Sequence, residues 1–161
     1  MTPRTAETDA YWLTYRAARG VGHDDYEVVS MGDSPAMADE LVDLIVRGLK
    51  RATACLLRDV TVRGDPMPIV GSHVMVIDGA GRSHCIWQTT EVTIKPFAEV
   101  DDAFAWDEGE GDRSRADWLD GHRRYFERQA AREGFVFDDR TATVFERFAV
   151  VWPAQGTSAK Q

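Results

Sequence analysis

The 161-residue sequence holds only two cysteines, Cys55 and Cys85, both inside apolar runs. No disulfide framework can define the fold, and both read as reduced core thiols, in keeping with a reducing cytoplasm. No apolar stretch approaches the roughly 20 residues that a membrane-spanning helix needs. The amino terminus, MTPRTAETDA, has no basic start followed by an apolar segment, so the expectation is a soluble cytoplasmic protein that is not exported. Positive charge is also in deficit: 19 Lys and Arg stand against 27 Asp and Glu, a formal charge of −8. That balance excludes coating nucleic acid by bulk electrostatics, which needs clustered Lys and Arg. Phosphate loop, dinucleotide fingerprint and nucleophile elbow are all missing, and His23, His73, His84 and His122 form no zinc pattern with the cysteines.

What is present is a 43% hydrophobic chain without repeats, low-complexity blocks or an internal linker. It reads as one domain over residues 1–153, with residues 154–161 as a flexible tail. Thr8 or Asp9 is placed to cap a first helix carrying Tyr11, Trp12, Tyr15 and Ala18, ended by Gly20 and Gly22. Tyr26, Val28 and Val29 allow a short extended segment. Ser34 followed by Pro35 starts a second helix, because the hydroxyl can accept a free backbone N–H while proline takes the first helical position. Met37, Leu41, Leu44 and Ile45 give it an apolar side, and Gly48 stops it.

The periodicity then changes to two. In ATACLL, Thr53, Cys55 and Leu57 face one way and Ala52, Ala54 and Leu56 the other. HVMVIDGAGRSHCIWQTTEVTI reads as a hairpin whose connection spans 78–82. A polar, acidic loop over 99–112 leads to Ser114, which caps a long helix bearing Trp118, His122, Tyr125 and Phe126 on one face and ending at Gly134. TATVFERFAVVW supplies a last strand. Strands with helices between them, but no regular βαβ alternation, predict an α+β domain on a small sheet or barrel.

Two stretches could carry chemistry. GLKRATACL places Lys50 and Thr53 three residues apart where a helix gives way to a strand: either ordinary polar residues beside a chain reversal, or an amine and a hydroxyl fixed for reaction. An amine of depressed pKa could activate the hydroxyl. WDEGEGDRSRADW offers Glu110, whose carboxyl could be raised by Trp106 or Trp118 to act as a general acid. The same acids could instead favour the positive end of a helix dipole. A divalent cation on Asp107, Glu108, Glu110 and Asp112 is a third possibility, although the spacing is not that of a calcium loop. Six arginines between 113 and 132, against Asp117, Asp120 and Glu127, form either a solvated helix face or a local binding surface. His122 reads as a packed histidine. Trp87 and Trp106 are candidates to stack on a base or to sit in the core.

Taken together, GLKRATACLL, VGSHVMVIDGAGRSHCIWQTTEVTIKPF and PFAEVDDAFAWDEGEGDRSRADWLDGHRRYF resemble the ASCH domain family over about residues 34–152, in its longer bacterial branch. The resemblance implies a small mixed β-barrel similar to the PUA domain, flanked by helices, with an N-terminal helical extension in this chain. It implies a cleft for RNA or a modified nucleoside. Short members of the family remove the acetyl group from N4-acetylcytidine with a Lys, a Thr three residues later and a Glu, which fall on Lys50, Thr53 and Glu110. A member similar to the longer branch is a ribonuclease, for which Lys50 and Ser114 are the matching positions. Short members carry Arg five residues after the lysine, where this chain has Cys55, a departure that bears on the amidohydrolase substrate. The expectation is therefore an RNA-directed hydrolase of ribonuclease type, with an N4-acetylcytidine amidohydrolase and a non-catalytic RNA-binding module as alternatives. Lys50, Thr53 and Glu110 are its catalytic set and Arg51, Trp87, Trp106 and Ser114 its substrate contacts, with no required cofactor.

Overall fold

The computed structural model describes residues 2–154; the expected C-terminal tail otherwise lies outside them. The first helix, α1 (Ala6–Arg19), starts earlier than the apolar pattern indicates, because Thr5 and Thr8 cap it reciprocally, side chain to backbone in both directions. Thr8 therefore lies inside the helix rather than before it. The extended segment is β1 (Glu27–Ser30). In α2 (Pro35–Val46), the Ser34 hydroxyl accepts the Met37 N–H at 3.1 Å. Ala38, Leu41, Val42 and Ile45 are the residues it buries.

At the end of α2, Gly48 takes φ 78°, a left-handed conformation that glycine adopts without strain. The reversal lets the amides of both Leu49 and Lys50 donate to the Leu44 carbonyl, at 3.0 and 3.1 Å. Lys50 is thereby delivered to the mouth of β2 (Ala52–Leu56), whose Ala52 and Leu56 are fully buried. The apolar run ATACLL does not stay extended throughout: α3 (Leu57–Thr61) follows directly. β3 (His73–Ile77) and β4 (Ser83–Pro96) form the expected hairpin. Its connection is held by the Asp78 carboxylate, which accepts the N–H groups of Ala80 and Arg82 at 2.9 and 3.0 Å.

The stretch read as an acidic loop is largely helical. After a 3₁₀ turn at Phe97–Glu99, Asp101 caps α4 (Asp102–Glu108) by accepting the Phe104 N–H at 2.7 Å. Acidic residues obscured the pattern, but the buried positions Phe104, Ala105 and Glu108 fall on one helical face. Ser114 caps α5 (Arg115–Glu133), and β5 (Ala142–Trp152) closes the chain.

The five strands make one sheet in the order β1-β3-β4-β5-β2. β1 runs parallel to β3, and the other neighbours are antiparallel. Register shifts between Ile86 and Trp87 and between Thr89 and Glu91 bend the long β4, so the sheet curls into a half-barrel. Helices α2 and α5 pack on it through two apolar clusters. One holds Ile45, Val76, Trp87 and Phe148, and the other Leu56, Phe97, Trp118, Phe126 and Phe145. A third, around Trp12, Tyr26 and Met75, seats α1.

One close approach ties two distant segments together. Gly109 ends α4 at φ 71°, and a Cβ there would lie 2.2 Å from the Leu49 carbonyl oxygen. Beside it, the Arg51 amide donates to the Asp107 carbonyl at 2.6 Å. Gly109→Ala would combine this clash with a left-handed backbone that alone costs a non-glycine residue roughly 1–3 kcal/mol. The expected result in urea denaturation is a loss of at least about 1 kcal/mol, the lower bound of that range. The exposed Gly20→Ala, which meets nothing within 4 Å, should lose less.

A buried lysine clamped by two glutamates

Lys50 is 1% exposed, as is Glu108. The ammonium donates to Glu108 Oε2 at 2.9 Å and to Glu110 Oε2 at 2.8 Å. His122, from α5, brings Nε2 to 3.3 Å from Glu108 Oε1 and 4.0 Å from Glu110 Oε2. Its ring stacks on Trp118 with centroids 4.0 Å apart, and its Nδ1 lies 3.0 Å from the Trp118 carbonyl oxygen. Since that oxygen only accepts, Nδ1 carries a proton. A neutral ring would then turn a bare Nε2 lone pair toward carboxylate oxygens, so the arrangement favours the imidazolium.

The protonation states follow from burial and mutual charge. Desolvation pushes the Lys50 pKa down, but the two carboxylates more than offset it and the net shift is upward. The same logic raises His122, with burial opposed by Glu108 and then Glu110. Burial favours the neutral form of Glu108, yet Lys50 and His122 hold it well below the ordinary glutamate range. Glu110 goes the other way: burial first, and repulsion from Glu108, exceed the attraction of Lys50 and push it up to about 7. An amine that is held protonated is not a resting general base. The upward shift is opposite to the depressed pKa that activation of the Thr53 hydroxyl would need, and accords with an electrostatic part for the ammonium.

Lys50, Thr53, Glu108, Glu110 and His122 line a single cavity of about 310 Å³. The remaining expected contacts lie elsewhere. Arg51 is exposed and bonded to Asp107 at 2.8 Å. The Ser114 hydroxyl accepts the Asp117 N–H at 3.1 Å as the cap of α5. Trp106 is 54% exposed, carries the Arg113 guanidinium 3.8 Å over its ring and does not line this cavity, whereas Trp118, the other expected neighbour of Glu110, does. Trp87 is buried against Phe148, with ring centroids 4.0 Å apart and planes at 9°; it borders a second cavity. Sequence reasoning missed two members. Glu108 was read only as one of four acids, and His122 only as packing; the available signal was the Glu-Gly-Glu triplet facing a helix with Trp118 and His122 one turn apart.

Glu108, Glu110 and His122 each bring one donor atom within 4.8 Å of the others. These donors suit a divalent cation, but the Lys50 ammonium is bonded to both carboxylates and a cation would compete with it. Lys50→Met leaves the buried Glu108 with His122 alone, and breaking a buried ion pair costs about 3–5 kcal/mol. The expected double-mutant result is partial recovery when Glu108→Gln is added, measured as the coupling free energy in urea denaturation.

The sequence matches the ASCH domain family model over residues 27–152. Among solved structures, an ASCH domain from Lactobacillus crispatus JV V101 superposes with a TM-score of 0.84 at 28% identity, covering 93% of this chain and 97% of that one. A protein from Enterococcus faecalis V583 gives a TM-score of 0.83 at 27% identity, covering 90% of this chain and 88% of that one. No curated protein matches significantly. The curled half-barrel with its flanking helices is the PUA-like α+β architecture, and the chain belongs to the ASCH domain family.

Proposed function

We propose that the Lys50 cavity is the active site of an RNA-directed hydrolase. The observation that carries the reading is the pair of opposed carboxyls: Glu108 is held ionised, while Glu110, pushed up to about 7, keeps a proton near neutral pH. Two like groups with divergent pKa values are what acid catalysis requires. With Glu110 protonated, Lys50 and His122 outweigh Glu108 by one positive charge, enough to receive a single phosphodiester in a protein that is acidic overall.

In this scheme a hydroxyl, from the adjacent ribose or from water, attacks phosphorus. Lys50 stabilises the charge that builds on the phosphoryl oxygens. Glu110 gives its proton to the leaving oxygen and regains one from the attacking hydroxyl, so the proton count closes over the cycle. His122 holds Glu108 ionised, which keeps Lys50 charged and in place. The PUA-like fold, often linked to RNA binding, accords with this substrate class.

A second reading rests on Thr53, which lines the same cavity. On this reading its hydroxyl would attack the acetyl carbon of an acylated nucleoside such as N4-acetylcytidine while Lys50 stabilises the tetrahedral oxyanion; the ionised fraction of Glu110 would take the hydroxyl proton and pass it to the leaving amine nitrogen, and water would then release acetate from Thr53. One experiment separates the two and tests both against a non-catalytic RNA-binding module. Wild type, Glu110→Gln and Thr53→Val are assayed in chelator-treated buffer on single-stranded RNA and on N4-acetylcytidine. For an RNA hydrolase, Glu110→Gln lowers kcat by about 10²–10⁴-fold and Thr53→Val is nearly neutral. For an amidohydrolase, Thr53→Val abolishes deacetylation. Equal rates for all three proteins on both substrates defeat both enzyme readings.

The pH profile provides a separate check. Because the acid form of Glu110 is required, kcat/KM on RNA should fall tenfold per pH unit above about 7, with that limb absent in the residual activity of Glu110→Gln.

A further inference from the structure

A second cavity, of about 500 Å³, adjoins the first. This is within the roughly 300–1,000 Å³ typical of small-molecule sites. Thr53 and Tyr125 line both, so the two spaces share a wall. Val28, Val29, Val74, Met67 and Ile69 give it an apolar part, while Asp59, Arg63, Gln129 and Arg132 also line it. Opposite Thr53 in the β2–β5 ladder stands Glu146, which is 5% exposed and lines this second space.

Glu146 is an anomaly that the Lys50 chemistry does not use. Its Oε1 accepts the Thr89 hydroxyl at 2.9 Å. Among the described residues no cation pairs with it. Its surroundings are burial, Thr89 and the indole of Trp87, whose N–H is buried without a full hydrogen bond. Burial pushes the carboxyl up to about 7, with Thr89 and then Trp87 opposing. An unpaired buried carboxylate is costly, which is why burial favours its protonated form, and a ligand that donates to both oxygens would recover the ionised one. A ligand that carries N–H donors side by side beside an apolar body would suit the ionised carboxylate, both of whose oxygens can accept. Among the standard bases, guanine presents two adjacent donors on one edge, its ring N1–H and its exocyclic amino group. Bonds to an ionised acceptor are roughly twice as strong as neutral ones.

We propose that the second cavity is a guanine pocket, in which Glu146 accepts the paired N–H donors of the base while the attached ribose crosses the Thr53 wall and places its phosphate beside Lys50. The inference rests on the RNA-directed reading of the first cavity and gives it a sequence preference: cleavage next to guanosine. Glu146 is here a binding residue and takes no part in proton transfer at phosphorus.

Calorimetric titration of the full chain with guanosine, inosine and uridine tests the pocket directly. Guanosine should bind at least about tenfold more tightly than inosine, which lacks the amino group, and than uridine; tenfold corresponds to 1.4 kcal/mol. Glu146→Gln, which replaces one acceptor by a donor, should erase this preference while its thermal melt shows a folded protein. The wild-type comparison of guanosine with inosine stands even if the variant fails to fold. Equal affinity for the three nucleosides, no binding of any, or methylguanidinium binding in place of guanosine would overturn the proposal. Oligonucleotides with and without guanosine separate the two claims. Cleavage indifferent to guanosine and to Glu146→Gln removes the pocket and leaves the hydrolase. Guanosine binding with no cleavage of any RNA keeps the pocket and removes the hydrolase.

Discussion

The site depends on one buried contact, the Lys50 ammonium held between Glu108 and Glu110. Three ionisable groups withdrawn from water are tolerable only because each solvates the others at hydrogen-bond distance. The asymmetry within the clamp is what gives it chemical meaning. Glu108 lies deeper and has His122 as a second partner, so it keeps its charge. Glu110 follows the left-handed turn at Gly109, with its side chain 34% exposed, and is the carboxyl whose proton can exchange with the cavity. The fold thus separates two chemically identical groups two residues apart into a fixed anion and a titratable acid.

Much of this organisation was legible in the residues themselves. Ser34-Pro35, Gly48, the connection over 78–82 and Ser114 mark chain reversals and helix starts through backbone chemistry that needs no tertiary context, and the structure uses each of them as read. α4 was hidden because it is only seven residues long with acids at both ends, too short for a helical period to show; its stability comes from burying Phe104 and Ala105 against α5 and β5, a contact that no local pattern displays. α3 was hidden for the opposite reason, since Leu56 and Leu57 continue an apolar run across the point where strand becomes helix.

The site was legible in part, and the limits are physical. Lys50, Thr53 and Glu110 could be selected because their residue types and a family resemblance pointed to them. The charge state of Lys50 could not, since it is decided by the balance of desolvation against two carboxylates whose distances exist only in the folded chain. His122 was misread because its neighbours along α5 are aromatic. It does stack on Trp118, and it also turns its other nitrogen toward Glu108; packing and electrostatics are not exclusive for a ring with two distinct edges. Glu146 escaped notice entirely, one acid within a β-rich segment whose burial follows from the curl of β4 around it.

The backbone bond from the Arg51 amide to the Asp107 carbonyl also bears on how the cavity comes into being. Lys50 and Glu108 are 58 residues apart, and nothing within either segment alone holds the cluster together. Nascent or truncated chains that stop before α4 contain the ammonium but none of its counter-ions, and a desolvated position is then unfavourable for it. The amide of Arg51 should accordingly exchange with solvent only when the β2 edge and α4 come apart together, making that single proton a reporter of whether the Lys50–Glu108–Glu110 cluster is assembled.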